Sequence, residues 1–295
     1  MLNNWRKGLL RLGKISAIAY TSTCVILFFS QPYFIFKPTR AFQKSPEFYN
    51  IKYQNVYLPF PGSSSNNVIH GWWIPSQRRH LGTLLYLHGN SFNIGSNITQ
   101  AYRFHQMGFS VLLIDYRGYG KSQGNFPSES QVYQDAQIAW NYLVKQKQIT
   151  ANQIFIYGHS LGGAVAIDLA VKHPEAAGLI VQNSFTSMQK MAELDPYLRI
   201  FPISLILRHR FDSITKVKSL RMPVLFVHGT ADAMIPKTMS KTLYAAAPEP
   251  KQLLLVPGAK HNNGDLFFNR SEYRQAIQNF AASARKLSST RNPVF

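Results

Sequence analysis

The fold is decided by the stretch Gln153-Ile154-Phe155-Ile156-Tyr157-Gly158-His159-Ser160-Leu161-Gly162-Gly163. Its first five residues predict a short buried strand, and the apolar residues Leu161–Lys172 predict a helix. Between them lies Gly-x-Ser-x-Gly, the pattern of a nucleophile elbow. Because Gly158 and Gly162 lack a Cβ atom, the chain can turn sharply here and hold Ser160 at the tip. We therefore predict that Ser160 is a nucleophile; the alternative is a glycine turn that only packs.

The residue after the serine is a candidate oxyanion donor. Leu161 begins the predicted helix, so its backbone N–H is one of the unpaired donors at the helix N-terminus. The positive end of the helix dipole points to the same place. Both features stabilise a negative charge that develops beside Ser160, as acyl transfer requires.

Strands and helices alternate along most of the chain. The predicted strands are Thr83–Leu87, Phe109–Ile114, Gln153–Tyr157, Gly178–Gln182, Val224–Val227 and Gln252–Val256, and the predicted helices are Asn97–Met107, Ser128–Gln146, Leu161–Lys172, Lys237–Ala246 and Glu272–Arg285. This alternation indicates an α/β fold with a mostly parallel central sheet and helices on both faces. Before it, Ile51–Leu58 and Val68–Ile74 predict an antiparallel hairpin with a turn at 61–67.

One long segment interrupts the alternation. Residues 184–221 contain Pro196, Pro202 and the apolar run Ile203–Leu207. They lie between two predicted strands of the sheet, where an insertion would cover the carboxyl edge. We expect a small helical cap over the site.

A serine hydroxyl is a weak nucleophile until a base takes its proton and a carboxylate orients that base. In a fold with this elbow the acid and then the histidine follow the serine along the chain. Asp232 follows the strand Val224–Val227, and His261 follows the strand Gln252–Val256. We therefore predict a triad of Ser160, Asp232 and His261.

Three other carboxylates are alternatives for the acid. Asp195 and Asp212 fall inside the predicted cap, and Asp265 lies four residues after His261. Asp232 is preferred over them because it stands at the carboxyl end of a core strand.

The second oxyanion donor should come from the loop after the strand Thr83–Leu87. Gly89 permits a close approach of the backbone to a substrate, and the N–H of Asn90 would then pair with that of Leu161. Ser91 is the alternative, one residue further on. We expect His88 to brace this loop and His159 to be a packing residue.

Residues 15–36 carry no charge, and as a helix they would be about 33 Å long, close to the hydrocarbon thickness of a bilayer. Polar residues dilute the segment: Ser16, Thr21, Ser22, Thr23, Ser30, Gln31 and Pro32. We predict a transmembrane anchor; a cleaved signal peptide and a helix packed on the domain are the alternatives. Four basic residues precede the segment and three follow it, which slightly favours a cytoplasmic N-terminus and a catalytic domain on the other side.

The chain of 295 residues is 45% hydrophobic and carries 32 Lys and Arg against 13 Asp and Glu. This size allows one α/β domain, and the positive charge would attract anionic lipid or nucleic acid. No zinc-ligand spacing or RNA-binding motif accompanies the charge, so we expect membrane contact and no nucleic acid. Cys24 is the only cysteine, which excludes a disulfide, a cysteine metal site and a cysteine nucleophile in the domain. We expect no metal or cofactor, and a monomer.

Five motifs together resemble the α/β-hydrolase superfamily, especially the small membrane-anchored hydrolases of the bud-emergence (Bem) type. They are Leu87-His88-Gly89-Asn90, Asp115-Tyr116-Arg117-Gly118-Tyr119-Gly120-Lys121-Ser122, Gly158-His159-Ser160-Leu161-Gly162-Gly163, His228-Gly229-Thr230-Ala231-Asp232 and Pro257-Gly258-Ala259-Lys260-His261. The resemblance covers about residues 50–285. It implies the triad named above and an esterase, lipase or thioesterase activity. After His261 the chain has Asn262-Asn263-Gly264-Asp265 where relatives often have Asn-Asp directly, which leaves the role of Asp265 open.

These observations predict four regions: a basic segment at 1–14, the anchor at 15–36, a hydrolase domain at 45–287 and a flexible basic tail at 288–295. The expected function is a membrane-anchored serine hydrolase that cleaves esters or thioesters of acyl chains through an acyl-enzyme. The small-molecule or lipid-linked acyl group is inferred from the apolar cap and the anchor. The alternatives are an amide hydrolase with the same triad and a membrane scaffold that has lost catalysis.

Overall fold

The computed structural model of the chain describes residues 2–60, 67–76, 81–262 and 264–291. Within these residues an eight-stranded sheet forms the centre of the fold. Its strands are β1 (Gln54–Pro59), β2 (Val68–Ile74), β3 (Gly82–Leu87), β4 (Phe109–Ile114), β5 (Ile154–His159), β6 (Gly178–Gln182), β7 (Val224–Gly229) and β8 (Lys251–Val256). The predicted turn at 61–67 lies outside the described residues except for its last residue.

The strand order across the sheet is β8-β7-β6-β5-β3-β4-β2-β1. Strand β2 runs antiparallel to β1 and to β4, and the other neighbours pair in parallel. The predicted hairpin and the predicted mostly parallel sheet are therefore both confirmed. The carboxyl ends of the parallel strands meet at one edge, where ligands bind in open α/β sheets.

Helices cover both faces of the sheet. The α-helices of the described residues are α1 (Leu2–Ile35), α2 (Ile94–Met107), α3 (Glu129–Asn141), α4 (Leu161–Lys172), α5 (Met188–Ala192), α6 (Ile203–Ile206), α7 (Ser213–Lys216), α8 (Lys237–Ala246), α9 (Gly264–Asn269) and α10 (Ser271–Arg291). Successive residues of β3 alternate between two apolar cores: Leu85 and Leu87 lie in one with α3, α4 and α8, and Leu84 and Tyr86 in the other with α2, α9 and α10. This two-sided burial explains why the central strands β3 to β7 are buried along their whole length and mainly apolar.

Helices α2, α9 and α10 differ from the sequence-based expectation. Helix α2 begins at Ile94 because the side chain of Asn93 accepts the Gly95 N–H at 2.9 Å and caps the helix. Helix α9 was not predicted, since six residues are too short for a clear periodicity, although its Phe267 and Phe268 are buried. Helix α10 continues to Arg291, so residues 288–291 are helical where a flexible tail was expected. Pro293, which disfavours helix at the preceding residue, is the first strong breaker after it; residues 292–295 lie outside the described part.

The predicted cap is present between β6 and β7. It consists of α5, α6, α7 and the 3-10 turns Leu198–Ile200 and Val217–Ser219. Short helices joined by Pro-containing turns account for the broken pattern of residues 184–221.

Helix α1 is longer than the uncharged segment, since it begins in the basic region and continues through Pro32. An 18-residue stretch within Trp5–Ile35 has a mean hydropathy of 1.6, and the helix is long and apolar enough to cross a membrane. Length and composition thus make α1 a candidate anchor. Its last turns also contact the domain through hydrogen bonds of Gln31 and Ile35.

Candidate active site

Ser160 occupies a sharp turn between β5 and α4. Its backbone has φ 55° and ψ −122°, a conformation that non-glycine residues rarely adopt. The turn is fixed from both sides, because the Ser160 N–H donates to Gln182 O at 3.0 Å and the Ser184 hydroxyl donates to Ser160 O at 2.8 Å. Such strain, held by surrounding hydrogen bonds, is characteristic of functional positions.

The two elbow glycines are needed for close packing. A Cβ atom on Gly158 would collide with the carbonyl oxygen of Gly162, and one on Gly162 would collide with that of Leu87. Neither glycine has a positive φ; the strained residue is Ser160 itself. The glycines therefore let α4 begin directly against the ends of β5 and β3, which sets the position of the serine.

The structure brings the three predicted side chains together. Ser160 Oγ lies 3.0 Å from His261 Nε2, and His261 Nδ1 lies 2.7 Å from Asp232 Oδ2. Asp232 follows β7 and His261 follows β8, at the carboxyl edge as expected. The Nδ1–H donates to the carboxylate, so Nε2 is left to accept the proton of the serine hydroxyl.

The Asp232 carboxyl is fully buried and strongly hydrogen-bonded. Its Oδ1 accepts the N–H groups of Met234 and Ile235, each at 2.9 Å, and its Oδ2 lies 3.4 Å from His228 Nε2. Burial alone raises the pKa of Asp232, but the hydrogen bonds from His228, His261 and the Ile235 N–H lower it more. The net effect holds the pKa of Asp232 well below its usual range, so the group is ionised at neutral pH.

The three alternative acids have other partners. Asp195 Oδ1 accepts the Tyr197 N–H at 2.8 Å within the cap. Asp212 caps α7 by accepting the Thr215 N–H at 3.4 Å, and it also accepts the Thr215 hydroxyl at 2.7 Å. Asp265 lies 2.6 Å from Arg103 in an exposed ion pair.

Two buried residues that sequence reasoning did not place in the site hold the His261 backbone. Asn183 donates from Nδ2 to His261 O at 2.8 Å and accepts the Gly229 N–H at Oδ1 at 2.9 Å. His159, predicted to be a packing residue, donates from Nε2 to the same His261 oxygen at 3.0 Å. Asn183 thus links the end of the strand before Asp232 to the loop that carries His261. The one available signal is its place directly after β6.

Replacing Asn183 with alanine should release the His261 loop. We expect kcat to fall about 10- to 100-fold, since small displacements of a catalytic group have such effects. The free energy of unfolding should fall by about 1–3 kcal/mol because the Gly229 N–H and the His261 carbonyl lose a buried partner. Asn183→Asp is the matched variant: its carboxylate accepts from Gly229 but cannot donate to His261. A loss of stability with an unchanged kcat in both variants would contradict a positioning role.

The pKa of His159 gives the fold a predicted pH dependence. Burial, with the neighbouring His261 as a smaller cause, lowers the pKa of His159 to about 3. An unfolded histidine binds a proton below about pH 6.5. Between these values the unfolded state holds the extra proton, so stability decreases as the pH falls.

The variant His159→Gln keeps an amide N–H for the His261 carbonyl and removes this titration. Its free energy of unfolding, measured in urea at several pH values from 7 to 4.5, should fall less steeply than that of the wild type, by up to about 1.4 kcal/mol per pH unit. Equal slopes of the free energy of unfolding against pH in the wild type and in His159→Gln would show that His159 does not cause this pH dependence.

The loop after β3 lies beside the nucleophile. A Cβ atom on Gly89 would be 3.3 Å from Ser160 Cβ, so the backbone approaches the serine closely. His88 Nδ1 donates to Gly89 O at 2.7 Å, which agrees with the predicted bracing role. The Asn90 carbonyl accepts from the Tyr119 hydroxyl at 2.7 Å. These bonds hold the Asn90 segment rigidly at the site.

Two pockets meet at the serine. A cavity of about 560 Å³ has Ser160, His261, Asn90 and Leu161 in its wall, and its other lining residues are mainly apolar. A smaller pocket of about 180 Å³ also contains Ser160, His261 and Asn90, together with Ser91 and uncharged polar residues of α2. Asn90 and Leu161, the residues predicted to supply the oxyanion donors, thus both line the large cavity, and the alternative Ser91 lines the small one.

Comparison with known proteins agrees with this architecture. The family model described as serine aminopeptidase, S33, matches residues 78–214. The chain is 38% identical over 202 residues to an uncharacterised protein of Mycobacterium tuberculosis, covering 68% of this chain and 70% of that one. It is 35% identical over 214 residues to the protein bem46 of Schizosaccharomyces pombe, covering 68% of this chain and 67% of bem46.

Among solved structures, an esterase of Pyrococcus furiosus superposes with a TM-score of 0.67 at 18% identity, covering 84% of this chain and 98% of the esterase. At this identity the likeness concerns the fold. The sequence relatives and the matching family model lead to one assignment. The chain belongs to the α/β-hydrolase superfamily, as a relative of the Bem46 proteins.

Proposed function

We propose that the chain is a membrane-anchored serine hydrolase that cleaves carboxylic esters or thioesters of acyl chains. The observation that carries the proposal is the pair of hydrogen bonds, 2.7 Å and 3.0 Å long, that connects Asp232 through His261 to the strained Ser160. Family membership supports a hydrolase, and the apolar cavity at the serine supports an acyl substrate.

In the first half of the reaction Ser160 Oγ attacks the carbonyl carbon and its proton passes to His261 Nε2. The ionised Asp232 stabilises the imidazolium that results. The carbonyl oxygen becomes negatively charged and is held by the backbone N–H groups of Asn90 and Leu161. When the tetrahedral intermediate collapses, His261 gives the proton to the leaving alcohol or thiol, and the acyl group stays on Ser160.

In the second half a water molecule attacks the acyl-enzyme. His261 takes one proton of the water and returns it to Ser160 Oγ as the ester bond breaks. The products are the free acid and the unchanged enzyme, so the sum is hydrolysis with one water consumed.

Helix α1 is the proposed membrane anchor. It is uncharged from residue 15 to its end, and the excess of basic residues in the chain suits a surface of anionic lipid. The four basic residues before residue 15, against three after the uncharged segment, slightly favour a cytoplasmic N-terminus with the catalytic domain on the opposite side of the membrane.

The test is a substrate panel on the full chain in detergent, with esters, thioesters and amides of one acyl chain. We expect covalent labelling by a fluorophosphonate probe and turnover of esters and thioesters well above that of amides. The amide arm is included because the matching family model is described as serine aminopeptidase. Preferential turnover of amides would favour a peptidase, and absence of both labelling and turnover would favour a scaffold.

A further inference from the structure

The second half of α1 packs along the cap. The Tyr20 hydroxyl donates to Ile200 O at 2.9 Å. Gln31, which is only 8% exposed, donates to Ile206 O at 2.7 Å and accepts the Arg208 N–H at 2.8 Å. Gln31 lies eleven positions after Tyr20, so the contact extends along about 17 Å of helix. The cap therefore lies beside the apolar part of the proposed anchor.

The end of α1 also holds the loop of the oxyanion site. Asn90 donates from Nδ2 to Ile35 O at 2.9 Å, and the Lys37 N–H donates to Asn90 O at 2.8 Å. Leu27 and Phe34 of the same helix line the large cavity that contains Ser160. Helix α1 is thus a wall of the site as well as a candidate anchor.

Apolar side chains next to this wall are exposed. On the outer face of α1, Val25, Ile26 and Phe29 are 50%, 63% and 65% exposed. On the cap, Ile200 and Leu205 are 66% and 80% exposed. Tyr20, itself 44% exposed, contacts Ile200, so an exposed residue of the helix is a direct neighbour of an exposed residue of the cap. Adjacent exposed apolar groups of this kind mark a membrane or partner surface.

The charge of the cap fits a lipid surface. Arg199, Arg208 and Arg210 lie in the segment that contacts α1, and Arg208 stacks over the ring of Phe28 at 5.1 Å. Arginine near the membrane surface attracts anionic headgroups. The combination of apolar tip and basic flank is that of an interfacial segment.

We propose that the cavity between α1 and the cap receives the long fatty acyl chain of a membrane lipid ester directly from the bilayer. The cap residues Ile200 and Leu205 rest in the membrane interface, and the chain passes between cap and helix until its carbonyl reaches Ser160. The alcohol part occupies the smaller pocket, whose polar lining includes Asn97 and Gln100 and is uncharged. This proposal rests on the proposed esterase function and adds the substrate class and its route.

The role of α1 as a wall of the acyl cavity can be tested with the full chain in vesicles of phosphatidylcholine and phosphatidylglycerol. The probes are hexadecanoyl and butanoyl esters of 4-nitrophenol. Leu27→Trp narrows the cavity, and Ile26→Trp, one residue earlier on the exposed face, is the matched control. We expect the ratio of kcat/KM for the long to the short ester to fall about tenfold or more in Leu27→Trp and to stay within about twofold in Ile26→Trp. Equal ratios in both variants would overturn the proposal.

Entry of the acyl chain from the bilayer is tested with Leu205→Asp. Leu205 lies outside the cavity lining, and the substitution adds a charge to the exposed tip of the cap. We expect turnover of the hexadecanoyl ester in vesicles to fall about fivefold or more, since a charge is disfavoured in the membrane. Turnover of the soluble butanoyl ester should not change. Undiminished hydrolysis in vesicles would overturn entry from the bilayer.

These outcomes are separable from those of the proposed function. If the wild type hydrolyses neither ester and does not react with the fluorophosphonate, the esterase function itself is wrong. If it hydrolyses the butanoyl ester and reacts with the probe while the chain-length ratio is unaffected by Leu27→Trp, the esterase function stands and the acyl site is wrong.

Discussion

Replacing Ser160 with alanine is expected to lower kcat/KM for esters by about 10⁴-fold or more and to abolish fluorophosphonate labelling. Loss of the nucleophile from a complete triad removes the acyl-enzyme route and leaves only what binding and the oxyanion donors supply. Alanine fits the site, since Ser160 is held by its backbone bonds to Gln182 and Ser184, which the substitution keeps. The thermal unfolding temperature should therefore change little.

The matched control is Ser219→Ala, at an exposed serine in a short turn of the cap. Its turnover and labelling should equal those of the wild type. Ester turnover that persists in Ser160→Ala, or that falls equally in both variants, would contradict a nucleophilic role for Ser160.

Replacing Asp232 with asparagine is the second large expected effect, a decrease of kcat by about 10⁴-fold. The asparagine amide can donate to His261 Nδ1, which would place the proton on Nε2 and leave no lone pair to accept the serine proton. It also removes the negative charge that stabilises the imidazolium. KM should change less than kcat, because Asp232 acts on the base and has no place in the lining of either pocket.

Asp265→Asn is the matched control for the acid. Asp265 is close to His261 in sequence, yet its carboxylate pairs with Arg103 on the surface. Its kcat should stay within about twofold of the wild type, since exposed ion pairs contribute little. A large loss in Asp265→Asn together with an active Asp232→Asn would show that the acid has been misassigned.

The parts of the site that could be predicted from sequence share one property: each is set by its own local element. Ser160 follows a strand and precedes a helix, and Asp232 and His261 each follow a strand that is apolar and short. Because parallel strands end at one edge of the sheet, these three local observations were enough to bring the residues together. Asn183 also follows a strand directly, but that position alone gave no indication of the groups it bonds. Its role depends on two backbone groups that lie far along the chain, Gly229 N–H and His261 O.

Gln31 in α1 is a second residue whose partners could not be predicted from the sequence. In the sequence it weakens an otherwise apolar segment, and it counted against a membrane anchor. In the structure its amide makes hydrogen bonds with the backbone of Ile206 and Arg208 in the cap. A polar residue in an apolar helix is satisfied by a partner about 175 residues away, and no periodicity could have revealed that contact.

The contacts between α1 and the cap also show that two alternatives for the N-terminal segment are compatible. An anchor and a helix packed on the domain were separate interpretations of the sequence. The contacts of Tyr20 and Gln31 allow both, with one face of α1 on the cap and the other face exposed. We therefore expect a protein that lacks residues 1–36 to lose a wall of its cavity.

The central claim is that an acyl-enzyme forms on Ser160. The most direct measurement is mass spectrometry of the full chain, quenched in acid during turnover of the hexadecanoyl ester and digested for peptide mapping. We expect a mass increase of one hexadecanoyl group on the peptide that contains Ser160, and none in Ser160→Ala. An acyl adduct on another residue, or rapid turnover by the wild type with no adduct detectable on Ser160, would contradict it.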